Sequence, residues 1–196
     1  MTWNLALRTV LRRSAATFAR HDWNVLPGAY PAGSRYHCAT ASCPTSDCHP
    51  AHDEMGTDFV PSSDLTQIST WWHKLPYSVL LPTGVSFDVL EIPAYLGEHA
   101  ARALHGRCPI SVSPTGRWML FVSPGDALRP ELSRQLDIVH HNLGSWVPAP
   151  PSRSLTGRLR WEVSPASVGW TLPRTYSVQH AIVDALQLAA PRGATL

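Results

Sequence analysis

Three glycine-closed turns set the grain of this 196-residue chain. Pro82-Thr83-Gly84, Pro114-Thr115-Gly116 and Asn142-Leu143-Gly144 each separate two short apolar runs. Proline fixes φ and removes a backbone donor, and glycine admits the left-handed region, so each triplet stops a helix and turns the chain. The flanking runs are of strand length: 77–81 with 87–92, 110–112 with 118–122, and 136–139 with 146–149. Each pair is expected to form a hairpin. Residues 159–163 read as a last short strand, and residues 22–25 as a first one ended by Pro27-Gly28. With 18 prolines and 15% charged residues, a coiled coil and a long helical array are excluded. The absence of a run of about 18 apolar residues excludes a helical membrane span.

Helices are expected before, within and after these strands. In residues 1–20, Trp3, Leu7, Val10 and Leu11, then Ala15 and Phe18, fall at helical spacing. This predicts an amphipathic helix packed on the domain. Its other face carries Arg8, Arg12, Arg13 and Arg20 and no acid, which leaves a membrane-surface or nucleic-acid-binding role as the alternative. Leu65, Ile68, Trp71 and Trp72 form a second helical face with Asp64 as N-cap and Pro76 beyond its end. Further helices are expected over 95–104 and 176–188. The sum is an α+β fold, with residues 21–196 as one domain, a size that suits a single core.

A formal net charge of +2 is too small to advertise a broad nucleic-acid surface, so any basic surface has to be local. Lys74 is the single lysine, and every other cationic side chain is arginine, whose planar fork suits phosphate. No apolar core of 7–15 residues follows the basic start, so no secretory signal is expected and the expected location is cytoplasmic.

Residues 37–52 form a Cys/His-rich insertion within a stretch that lacks amphipathic period from 29 to 57. Cys38, Cys43 and Cys48 are separated by four residues each, and His49 or His52 can complete a tetrahedral set. Three readings stay open: a structural zinc on Cys38, Cys43, Cys48 and His49, free thiols in a loop, or a disulfide or redox role. Cys108 stands apart as a core thiol.

The remaining motifs come in a particular order. Thr57 and Trp71-Trp72 are followed by Leu81-Pro82-Thr83-Gly84, then Asp88-Val89-Leu90-Glu91, then Gly116-Arg117-Trp118-Met119-Leu120-Phe121. Leu136-Asp137 and Gly144-Ser145-Trp146-Val147-Pro148-Ala149-Pro150-Pro151-Ser152 close the series, with Gly157 and Trp161 beyond. This order resembles the bifunctional DNA primase/polymerase N-terminal (prim-pol) domains of the archaeo-eukaryotic primase superfamily, over roughly residues 22–161. The resemblance implies a split palm. There, two carboxylates at i and i+2 on one strand, and a third from a later strand, hold two Mg2+ or Mn2+ ions for nucleotidyl transfer. It also raises the case for zinc, and it implies nucleotides and single-stranded nucleic acid as ligands, with a helicase or other replication protein as partner.

Carried over residue by residue, Glu91 falls on the first carboxylate, Pro93 on the second, Asp137 on the third and Trp118 on a phosphate-contacting histidine. Asp88 is a substitute for the missing acid only if a bulge brings it to the face of Glu91. Arg117, Trp118, Ser152, Arg153 and Arg158 are the candidate nucleotide or nucleic-acid contacts. Three functions follow: a DNA primase/polymerase using Glu91, Asp137 and Asp88; a catalytically degenerate prim-pol fold that binds nucleotides or regulates; and an interaction module.

Overall fold

Eighteen helix and strand segments follow one another in a computed structural model that describes residues 2–38, 47–53 and 55–189. Helix α1 (Thr2–Ala19) leads to β1 (Leu26–Gly28) and the small hairpin β2 (Tyr30–Ala32) and β3 (Arg35–His37). Helix α2 (Leu65–Lys74), β4 (Ser78–Pro82), β5 (Asp88–Pro93) and α3 (Ala94–Leu104) come next. They are followed by β6 (Ile110–Val112), β7 (Arg117–Val122), α4 (Pro130–Ser133), β8 (Val139–His141) and β9 (Trp146–Pro148). The hairpin β10 (Arg153–Ser154) and β11 (Gly157–Arg158), then β12 (Arg160–Val163), a 3-10 turn (Ala166–Val168) and α5 (Thr175–Ala189) end the described chain.

Two sheets carry the fold: a three-stranded one in the order β1-β4-β9, and a five-stranded antiparallel one in the order β12-β6-β7-β5-β8. They are joined by one bent ladder. Strand β4 pairs with β9 through Leu80↔Pro148 and Pro82↔Trp146, and the following strand β5 pairs with β8 through Val89↔His141 and Glu91↔Val139. Between the two halves, Thr83 N–H donates to the Ser145 carbonyl at 3.0 Å and Thr83 Oγ1 to the Asn142 carbonyl at 2.6 Å. The crossing is tight because Gly84, at φ +93°, lies where a Cβ would sit 2.1 Å from Leu143 Cα.

The expected hairpins fare differently. Pro114-Thr115-Gly116 does close the β6–β7 hairpin, with Ile110 opposite Leu120. The other two triplets are corrected by the structure: β4 and β5 do not pair with each other, nor do β8 and β9. Each triplet is a bend at which a strand passes from one sheet to the next, and the two bends lie against each other. A short-range turn signal cannot tell a reversal from such a crossing, because both need the same left-handed glycine.

Two further strand positions shift. The first strand begins where its end is expected, at Leu26, and contains Pro27; β1 is an edge strand, where a missing donor costs little. Strand β8 starts at Val139, so Asp137 precedes it.

Helix α2 follows its pattern, with the Asp64 carboxylate accepting from Thr66 N–H at 2.7 Å and with Ile68, Trp71 and Trp72 buried. Such a cap contributes about 1 kcal/mol. One core cluster lies between the sheets and α1 and α2, with Leu11, Ala15, Phe18, Trp72, Val89 and Phe121 among its members. The second fills the other face of the five-stranded sheet under α3 and α5, with Leu90, Ile92, Leu96, Leu120 and Ile182. Among the described residues no helix is long and apolar enough to cross a membrane.

Gly84→Ala should destabilise the protein by roughly 2–4 kcal/mol, combining a left-handed backbone penalty with a clash against backbone. Gly144 also has positive φ, at +88°, but nothing lies within 4 Å of its added Cβ. Gly144→Ala should therefore cost only about 1–2 kcal/mol. Urea unfolding of the pair would expose a loose crossing if the two losses were equal.

Candidate functional site

Alternation along β5 divides its polar residues between the two faces of the sheet. Asp88, Leu90 and Ile92 face the α3/α5 side, and Val89 and Glu91 face the other. Neighbouring His140 and His141 on β8 split the same way. His140 Nε2 lies 3.3 Å from Asp88 Oδ2, whereas His141 Nε2 lies 2.8 Å from Glu91 Oε2. No bulge brings Asp88 round to Glu91, because the β5–β7 register runs unbroken from Asp88↔Val122 to Pro93↔Arg117.

Glu91 is the hub of a four-part chain. Arg117 Nε donates to its Oε1 at 2.7 Å, and the same guanidinium donates from Nη2 to the Asp137 carbonyl at 2.7 Å. A carboxylate accepts only, so His141 carries its proton on Nε2 for Glu91 and presents Nδ1 to Ser145 Oγ at 2.9 Å. Burial opposes ionisation of Glu91, but the hydrogen bonds from His141 and Arg117 outweigh it and hold the carboxyl below its ordinary value.

The positions around Glu91 are as informative as the residue itself. Two residues along the strand, on the same face, is Pro93. Directly across on β8 is Val139, and directly across on β7 is Met119. None of the three offers an oxygen. Asp137 lies outside the strand, and its side chain accepts from the exposed Tyr95 hydroxyl at 3.2 Å.

The sequence matches the family Prim-Pol, bifunctional DNA primase/polymerase, N-terminal, over residues 15–176. The chain belongs to this family. No curated protein matches it. Membership points to a DNA primase/polymerase-like function. The resemblance set out above implies carboxylates that hold divalent ions. The donor set of this prim-pol chain does not fit a two-ion site. Glu91 has both oxygens engaged, and the guanidinium of Arg117 already supplies a positive charge there. A divalent ion brought beside that guanidinium meets like-charge repulsion. Among the described residues no three His, Cys, Asp or Glu side chains converge in a metal-holding group.

The other sequence-derived candidates lie at varied distances from this chain of contacts. Trp118 is on the opposite face, buried, and Gly97 of α3 packs so closely that a Cβ there would be 2.3 Å from its ring. Ser152 is buried, and its hydroxyl accepts from Val79 N–H at 2.8 Å, which splices the loop after β9 to β4. Arg153 and Arg158 are exposed and sit directly opposite each other in the β10–β11 hairpin. Arg153 lines a cleft of about 360 Å3 that also takes in Asp47, Ser113 and Thr115, and Ser113 Oγ accepts from the Arg117 N–H.

Asp88 is 1% exposed, accepts from Gly125 N–H at 3.1 Å, and leaves Oδ1 without a partner. In the Cys/His segment, Cys43 lies outside the described residues. Cys48 donates to the Ala29 carbonyl, and burial pushes its thiol up to about 11. His49 Nδ1 lies 2.7 Å from the Asp47 carbonyl, and His52 Nδ1 lies 2.7 Å from Asp58.

Sequence reading singled out Glu91 and Arg117 but not their partner His141, nor the emptying of the position across from Glu91 by Val139. The strand register was the missing information. Had β8 been placed at 139–141, alternation would have put His141 and Val139 beside Glu91.

A depressed carboxyl pKa contributes stability that is present above the unfolded value, near 4.5, and is lost as pH falls through the folded one. Glu91→Gln should therefore lower stability at neutral pH, by about 2 kcal/mol for a lost charged hydrogen-bond partner. Wild-type and variant melting curves should converge as pH drops below 4.5. A gap that stayed constant from roughly pH 7 to pH 3 would remove the ionised Glu91 from the account.

Proposed function

We propose that this chain is a prim-pol-fold protein of DNA replication or repair that binds nucleotides or single-stranded nucleic acid without a divalent ion and without nucleotidyl transfer. The observation that carries the reading is the place of Arg117. Its guanidinium bridges Glu91 and the Asp137 carbonyl where the family's chemistry calls for a cation. A fixed organic cation neutralises the carboxylate, but it offers no open coordination position to a primer hydroxyl or a triphosphate. The two sheets meeting at the bent ladder are read as the split palm.

Binding is supported by Arg153 and Arg158. Like charges directly across a two-stranded ladder repel, and an anion bridging them relieves that cost. Arginine forks suit a phosphate group in that position. The competing reading, an active primase/polymerase on Glu91, Asp137 and Asp88 with Mg2+ or Mn2+, has to bring together side chains that lie on two sheet faces and a turn. Zinc on Cys38, Cys43, Cys48 and His49 is a separate element of the proposal, supported by the clustering of three thiols and an imidazole. A cytoplasmic location and a helicase or other replication partner complete it.

Purified protein should bind a labelled nucleoside triphosphate or a single-stranded oligonucleotide equally with Mn2+ and with EDTA. Both affinities should be unchanged in Glu91→Ala and Asp137→Ala, and Arg153→Glu with Arg158→Glu should weaken that for the triphosphate. Primer extension on a single-stranded template in Mn2+ would overturn the reading, as would loss of binding in EDTA. Metal analysis of freshly purified protein checks the zinc element: about one zinc per chain is expected, and a metal-free chain removes it.

A further inference from the structure

Helix α1 buries Leu11, Ala15, Phe18 and Ala19 in the core. Outside, beside the exposed Leu5 and Val10, its charged side chains are all basic. Arg8 reaches the end of α2 and donates to the His73 and Lys74 carbonyls at 2.7 and 3.1 Å, which caps that helix. Arg12, Arg13 and Arg20 do no such work. Among the described residues none of the three makes an ion pair or a side-chain hydrogen bond. They line an open groove of about 450 Å3 between α1 and α2, together with Ala16, Thr17 and Ser69. Helix α1 contains no acidic residue, and the nearby Asp64 has its carboxylate engaged in capping α2.

We propose that this α1/α2 groove binds the phosphodiester backbone of a single-stranded nucleic acid. Three unpartnered guanidinium groups in one groove, with hydroxyls beside them and no acid lining it, are complementary to a run of phosphates. The spacing suits that occupant. Eight residues separate Arg12 in α1 from Arg20 just beyond its end, an axial length of about 12 Å. The guanidinium groups can therefore reach more than one successive phosphate of a strand. It holds no aromatic ring to stack on a base, so its recognition is independent of sequence. An anionic membrane surface is the less suited partner, because Leu11, Ala15 and Phe18 are in the core and only Leu5 and Val10 of the helix's large apolar side chains are exposed to insert into lipid. The inference rests on the reading that the chain binds nucleic acid, and it assigns the strand to a surface distinct from Glu91 and from the β10–β11 hairpin.

The test compares binding of a labelled oligo(dT) and of a nucleoside triphosphate to three proteins: wild type, R12E/R13E/R20E and R12K/R13K/R20K. Matching thermal midpoints would establish that all three are folded. The glutamate variant should bind oligo(dT) roughly 10–100-fold more weakly than wild type while its triphosphate affinity stays the same. The lysine variant should retain binding to within a few fold. The slope of log affinity against log salt should be shallower by about 2 in the glutamate variant, as expected for three single-strand phosphate contacts.

Equal oligo(dT) affinity in wild type and glutamate variant overturns the groove and leaves metal-independent nucleotide binding standing. Loss of triphosphate binding in EDTA with oligo(dT) binding intact overturns that reading and leaves the groove. Wild-type protein that binds phosphatidylserine vesicles but not oligo(dT), or oligo(dT) binding that salt does not weaken, also overturns it.

Discussion

The close approach of Gly84 to Leu143 decides the geometry of everything around Glu91. At that point two strands leave one sheet and enter another together, and the ladder between them continues through Thr83 and Ser145. Because β4–β5 and β8–β9 cross as a pair, β8 arrives beside β5 in a fixed register, with Val139 opposite Glu91 and His141 two pairs further on, opposite Val89. A one-residue slip would exchange the two faces of β8 and put His140 where His141 now meets Glu91. The polar chain from Asp137 through Arg117, Glu91 and His141 to Ser145 is thus a consequence of a backbone crossing that only glycine permits at this distance.

That chain satisfies the carboxylate with side chains alone. A carboxylate held by a guanidinium and an imidazole is satisfied without any ligand, and its cost of burial is offset within the protein. Divalent-ion sites work in the opposite manner: they keep carboxylates close together and repelling, so that the unliganded state is poor and the ion is drawn in. Here the repulsion is gone. With Pro93 along the strand and Val139 across from it, Glu91 has no second carboxylate on its face to repel, and Arg117 is free to approach to 2.7 Å.

Local periodicity made much of the architecture legible. Helix α2, with its Asp64 cap and its Ile68, Trp71 and Trp72 stripe, follows directly from spacing, as do α3, α5 and the β6–β7 hairpin. The opposite facing of Asp88 and Glu91, and of His140 and His141, also follows from strand alternation alone. What sequence could not carry is pairing between distant strands. The Pro82-Thr83-Gly84 and Asn142-Leu143-Gly144 triplets read as hairpins because a turn's residue chemistry is local, whereas the partner of each bend lies about 60 residues away along the chain. The same gap explains Trp118. Its placement on the α3 face depends on the β7 register, and Met119, not Trp118, is the residue opposite Glu91.

The two faces of β5 now bear on the near-neutral charge of the chain. Its carboxylates are engaged internally, Glu91 by Arg117 and His141, and one oxygen of Asp88 by Gly125 and His140 on the other face. Arginines without an ion pair include Arg12, Arg13 and Arg20 in the α1/α2 groove and Arg153 and Arg158 in the β10–β11 hairpin. A net charge of +2 therefore understates the local field, because pairing removes one sign from the sheet and leaves the other at the surface. Each basic patch presents only two or three guanidinium groups, so a strand bound there as proposed would make few phosphate contacts. Affinity built from so few contacts is steeply reduced by salt and easily exchanged. Under the proposed reading that suits transient engagement of a strand, in contrast to the hold on template and primer that repeated addition demands.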